Sequence, residues 1–168
     1  MLVSEKKLRI IDSLKLAEYI VFKGGAMSHL KLQKLLYYAQ AYHLAYFETE
    51  LIEDDFEAWV HGPVSRKLYN QVKDFSILYN EIKYVEDPSS QHIKDFVKSR
   101  LTSEQLSLTN DVLTSLAKKS GLELENMTHS ETPWLKARLG YGPAEKCTKV
   151  IFKEDIKEYF QVILYGEK

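Results

Sequence analysis

The chain has 168 residues, a net charge of −1 from 23 basic and 24 acidic residues, and one cysteine. That length suits one domain, 1–168, whose core needs no metal or disulfide to hold it. The charge balance offers no field for nucleic acid or anionic membrane, Cys147 closes no internal disulfide, and the amphipathic N-terminus lacks a spanning apolar run, so the expected location is the cytoplasm.

Residues 12–22 form the first predicted helix. Asp12 or Ser13 caps it, Leu14, Ala17, Ile20 and Val21 share a face, and Gly24-Gly25 stops it. Ser28 then caps a second helix over 29–47. Leu32, Leu35, Leu36, Ala39, His43 and Tyr46 make one apolar stripe, and Leu30, Tyr37 and Leu44 make another on the back. A helix apolar on two faces packs on two sides, which places it at the centre of the fold. Lys31, Lys34 and Tyr38 are expected to line its narrow exposed edge.

Six carboxylates follow between Glu48 and Glu57 with no base among them. Phe56, Ala58 and Val60 alternate with Glu57, Trp59 and His61, the pattern of a short strand. Gly62 and Pro63 are expected to cap and start the next helix, with Val64, Leu68 and Val72 behind it. The β-prone residues 82–86 are expected to pair with that strand. Asp87-Pro88-Ser89-Ser90 is a turn and cap for a helix carrying Ile93, Phe96, Val97 and Leu101. Thr102 and Gln105 form a capping box for a helix that continues to Gly121. Thr132, Pro133 and Trp134 open a short helix, residues 140–143 are a loop, and 150–152 are a third short strand. The last helix carries Ile156, Tyr159, Phe160, Ile163 and Leu164 on one face. The fold class expected is mostly α, a compact helical domain with two or three short strands.

The motifs that invite a chemical reading are weak. His61 at a helix start has no nucleophile or second base nearby in sequence, and a strand-to-helix corner accounts for it. Thr128-His129-Ser130-Glu131 offers a hydroxyl, an imidazole and a carboxylate, but adjacent residues rarely face one another. It reads better as a turn into a helix whose hydroxyls satisfy orphan N–H groups. Five histidines and one cysteine show no metal-ligand spacing, and the acidic run lacks the glycine of a calcium loop. Neither phosphate-loop pattern is present, and no helix carries a recognition cluster for DNA. No cofactor or metal is expected.

Three segments together carry a resemblance: KLQKLLYYAQAYHLA (31–45), FEAWVHGPV (56–64) with Leu68-Tyr69, and THSETPWLKAR (128–138). With YIVFKGGAMSHLKLQKLL before them and IKEYF after, the chain resembles the Panacea domain family, also described as SocA-like or GepA-like phage-associated proteins. The resemblance implies one Panacea-like antitoxin domain in a bacterial or phage toxin–antitoxin pair. It implies neutralisation of a cognate toxin by direct binding, with delivery of the toxin to a protease as the alternative. It establishes no catalytic activity, and the charge balance and helix patterning argue against a membrane or nucleic-acid partner for this chain alone. Leu32, Lys34, Leu35, Tyr37, Trp59, His61, Gly62, Pro63, His129 and Trp134 carry the signature and are expected to be architectural. Tyr37, Tyr38, Tyr42 and Tyr46, with the acidic residues Glu50, Glu53, Asp54 and Asp55, are the expected docking features, since aromatic residues often anchor interfaces. A third reading, an enzyme using His61 and His129, requires both imidazoles at a common pocket.

Overall fold

The computed structural model of the chain describes residues 7–74 and 81–167. Among the described residues there are eight helices and one three-stranded antiparallel sheet, so the expected fold class holds.

The Asp12 carboxylate accepts from the Leu14 and Lys15 N–H groups and caps α1 (Ser13–Gly24), and Gly25 ends it in the left-handed region at φ 82°. The Ser28 hydroxyl accepts from the Lys31 N–H and opens α2 (His29–Phe47), with the bounds the apolar spacing predicts. Every residue of α2 from 32 to 41 is buried. The exposed edge expected on this helix is therefore absent at two of its three positions. Lys34 is 0% exposed and Tyr38 1%, because neighbours enclose the helix on every side, and only Lys31 is half-exposed. Tyr46, expected in the buried stripe, is 54% exposed, even though Leu44 and Ala45 beside it are buried and the Gln161 amide donates to the Ala45 carbonyl.

A helix this deeply buried must satisfy its polar side chains inside the protein. Gln33 accepts from the Ser65 N–H at 2.9 Å and donates to the Ser65 carbonyl at 3.1 Å. Gln40 accepts from the Leu51 and Ile52 N–H groups and donates to the Ile52 carbonyl. His43 Nδ1 lies 2.7 Å from the Thr49 carbonyl, and its Nε2 meets the Gln105 amide at 3.0 Å. The bonds of Gln40, and of His43 to Thr49, fix irregular backbone against the helix, while Gln33 holds the chain at Ser65 and His43 also meets Gln105.

Gln33 also explains a correction to the expected corner. Residues 62–65 are not a helix start. They form β2 (Gly62–Ser65), paired with β1 (Phe56–Trp59) through a turn at Val60 and His61. Gly62 sits at φ 102°, and a Cβ there would lie 2.7 Å from both Lys34 Cε and Thr128 Oγ1. Pro63 is tolerated because β2 is an edge strand. Helix α3 (Arg66–Val72) begins one step later, capped by the Ser65 hydroxyl. The other neighbour of β1 is β3 (Val150–Ile151), giving the order β2-β1-β3. The expected pairing of 82–86 with β1 does not occur. Ile82 instead exchanges backbone hydrogen bonds with Met27 as a single bridge.

Asp87 holds the turn at Ser89 and Ser90, while His92 caps α4 (Ile93–Arg100). The capping box of Thr102 and Gln105 opens α5 (Ser103–Leu116) as predicted. That helix stops short of Gly121. A second capping box, Ser120 with Glu123, opens a separate α6 (Gly121–His129). Residues 128–131 therefore end one helix before the next begins. The Thr128 and Ser130 hydroxyls donate to the carbonyls of Glu125 and Met127 rather than accepting from orphan N–H groups. Glu131 is the N-cap residue of α7 (Thr132–Ala137), and α8 (Lys153–Tyr165) completes the order. Ile156 and Phe160 of α8 are buried against the core, whereas Ile163 and Leu164 of the expected stripe are exposed.

Replacing Gln40 with leucine tests this arrangement, because it leaves two N–H groups and one carbonyl of the 51–52 segment buried without partners. Gln40→Leu should lower unfolding free energy by about 2–5 kcal/mol in urea denaturation. A loss below about 0.5 kcal/mol contradicts the clamp.

Candidate functional site

Lys34, Trp59, His61, Gly62, Pro63, His129 and Trp134 meet at the β1–β2 corner. Lys34 Nζ donates to the Pro63 carbonyl at 2.9 Å from beneath the hairpin. Burial pushes its pKa down to about 7, with the Glu125 carboxylate acting in the opposite direction. Glu125, on the buried face of α6, places Oε1 2.6 Å from His61 Nδ1 and 3.8 Å from His129 Nε2. The two imidazoles therefore share one carboxylate. His61 is open to solvent, its side chain 75% exposed. His129 stacks on Trp134 with ring centres 4.3 Å apart, and its Nε2 is sealed from water without a hydrogen bond. Burial lowers the His129 pKa, against the pull of Glu125 and a backbone hydrogen bond with Val60.

Trp134 and Arg138 tie α7 to the sheet. The Trp134 indole donates to the Trp59 carbonyl, and Arg138 donates to the Ala58 and Gly142 carbonyls while lying over the Trp134 ring at 5.1 Å. Trp59 sits on the other side of the hairpin, against Tyr69 and under Arg66, with its indole donating to Glu57. Leu32 and Leu35 are buried in the core with Tyr37. The signature is thus a set of wedges and hydrogen bonds that join α2, the hairpin, α6 and α7.

A second buried group lies between α2, α7 and α8. The Tyr38 hydroxyl donates to Glu131 Oε2 at 2.9 Å, while Glu131 Oε1 is buried without a partner. Burial raises the Glu131 pKa to about 7, against that hydrogen bond. Burial first, then the Glu131 charge, raises the pKa values of Tyr37, Tyr38, Tyr42 and Tyr159. Tyr37, Tyr38 and Tyr42 also pack around Phe160.

The expected docking residues are not gathered on one surface. Tyr37 and Tyr38 are buried and present nothing to a partner; Tyr42 is half-buried and Tyr46 exposed. Much of the acidic run is matched internally. Glu50 and Asp55 lie 3.0 and 3.5 Å from Lys153 Nζ, the Ser65 hydroxyl donates to Asp54, and Arg66 pairs with Glu57. Glu53 is exposed. Sequence reasoning missed Glu125 and Arg138 and gave Glu131 only a place in a turn; the spacing of Glu125 four residues before His129 is the one local signal that pointed to it. No group of three or more His, Cys, Asp or Glu side chains among the described residues could hold a metal ion. No helix among them is long and apolar enough to cross a membrane.

Fold and corner together define a helical scaffold whose signature residues brace its own elements. The model of the family described as "Antitoxin SocA-like, Panacea domain" matches residues 32–135, and the chain belongs to that family. The match begins in α2 and ends in α7, so it spans the corner and the helix beneath it. No curated protein and no solved structure matches the chain.

Glu131 gives a pH-dependent test. Its proton leaves near 4.5 in the unfolded chain and near 7 in the folded one. Between those values the folded state holds more proton, so this group's contribution to stability declines as pH rises toward 7 and stays lost above it. Glu131→Gln keeps an acceptor for Tyr38 and removes that decline. Lys34 and the buried histidines titrate over neighbouring ranges, so the readout is the difference between variant and wild type. The variant should gain about 1–3 kcal/mol on wild type between about pH 5 and pH 8. A flat difference curve contradicts the assignment.

Proposed function

We propose that this protein is the cytoplasmic antitoxin of a bacterial or phage toxin–antitoxin pair and neutralises its toxin by direct binding. The observation that carries this reading is the antitoxin-domain match across the central helix and corner. The internal engagement of the corner residues supports it. Lys34, Gly62, Trp134 and Arg138 hold the fold together, which leaves the outer surface to diverge with the partner.

A specific complex usually buries about 1,200–2,000 Å² in total, with aromatic side chains among its anchors. Tyr46, together with Val162, Ile163 and Tyr165 of α8, supplies exposed apolar area for such contact. Placing the chain under one promoter and the neighbouring small gene under another gives the direct test. The neighbour should arrest growth alone, growth should return when the chain is expressed, and the two proteins should co-purify. Arrest that persists with the chain present contradicts the reading. Complete clearance of the toxin that depends on a cellular protease, without a stable complex, replaces sequestration with proteolytic delivery.

The convergence of His61 and His129 on Glu125 keeps a catalytic reading testable. Under direct binding, His61→Gln should rescue growth as well as wild type, because this side chain is mostly in solvent and its loss removes only a partly exposed ion pair, worth about 0–1 kcal/mol. Lost rescue with the complex intact on co-purification assigns the imidazoles to chemistry instead.

A further inference from the structure

A cavity of about 140 Å³ opens between α1, α2 and α5, away from the signature corner. Ile20, Met27, Leu35 and Leu113 give it apolar walls, and Lys23 and Lys31 stand in its lining. An engineered apolar cavity of about 150 Å³ binds benzene, so this one admits a single leucine- or phenylalanine-sized group. Met27, buried in the wall, carries a flexible thioether, and Gly24 beside it has no side chain.

Lysines outnumber carboxylates around the cavity. Lys23 leans toward the Tyr19 ring at 5.9 Å, and Lys31 Nζ donates to the Ala117 carbonyl at the end of α5. Lys118 and Lys119 follow Ala117 directly. None of these four lysines makes an ion pair among the described residues. The opposite end of α2 differs, since Glu50 and Asp55 there share Lys153. Glu81, beside the Ile82 that bridges Met27, and Glu123, at the start of α6, also lie at the end that bears the cavity, so the lysines are in excess there rather than unopposed, and the matching surface is acidic.

We propose that this lysine-flanked cavity is the anchor point for the protein partner, taking one apolar side chain of the toxin that is flanked by acidic residues. The proposal rests on the antitoxin reading and names the chemistry of the surface that reading requires. An apolar anchor in a desolvated pocket supplies binding energy, and charge at the rim supplies speed and selectivity.

The probe is an acidic hexapeptide with a central Leu-Phe pair, titrated to millimolar concentration against the full chain labelled at methyl groups. The Met27 and Ala117 methyl resonances should shift. A peptide with serines at the two central positions, and one with lysines in place of the acids, should leave them still. Thr114→Trp fills the cavity from an exposed position on α5, and Lys23→Glu with Lys31→Glu reverses its rim. Both variants should melt near wild type, abolish the peptide shifts, and weaken co-purification of the toxin by about tenfold or more. Shifts of equal size from the lysine-flanked peptide, or none from the acidic one, overturn the proposal. Normal rescue by both variants overturns it while leaving the antitoxin reading intact. Failure of wild type to rescue removes the antitoxin reading and the toxin as occupant with it.

Discussion

The rest of the structure depends on a helix that has no contact with water along most of its length. From 32 to 41, α2 is enclosed, yet its sequence there includes Gln33, Lys34, Tyr38 and Gln40. Burying such groups unpaired costs several kcal/mol each, so every one must meet a partner as the chain closes. The partners lie in segments that have little other means of fixing their shape. Gln33 holds the end of the hairpin, Lys34 its middle, Gln40 the segment after α2, and Tyr38 the approach to α7. Apolar contact gathers the elements around α2, while these polar side chains set the register in which they dock.

That arrangement explains why residues suggestive of chemistry sit where they do. Gly62 is required because the hairpin crosses Lys34 and Thr128 with no room for a Cβ. Glu125 lies within reach of Lys34 and both imidazoles, a balance of charge that a half-buried corner needs. Glu131, with one oxygen bonded to Tyr38 and the other sealed, is the group least reconciled with its surroundings. The family to which the chain belongs is an antitoxin family. A scaffold held by internal polar clamps keeps its shape while exposed residues change, which suits binding to different partners.

The helical part of this fold was legible because periodicity reports burial. The bounds of α2, the cap at Ser28 and the box at Thr102 all follow from spacing and cap chemistry. Periodicity fails where a polar side chain is buried. Lys34 and Tyr38 read as an exposed edge because nothing local announces a carbonyl or carboxylate waiting from residues 63 and 131. The Gly-Pro pair read as a helix start because a Gly-Pro after a turn fits a helix start as well as a strand; here pairing with β1 extends it, and Gln33 holds its far end at Ser65. Helix α6 goes unassigned in the sequence because the preceding helix is expected to run to Gly121, so the box at Ser120 and Glu123 reads as its end rather than a new start. His61 and His129 meet at Glu125, which itself bears no mark in the sequence beyond its spacing from His129.

The central claim, that α2 is the core rod on which the other elements are clamped, is most directly tested by native-state hydrogen exchange resolved by residue. Amides of 32–41 should exchange only through global unfolding, with protection equal to the full unfolding free energy and the same denaturant dependence. Exchange of those amides through a smaller opening, while α4 or α5 remains protected, would show that the fold stands without α2 at its centre.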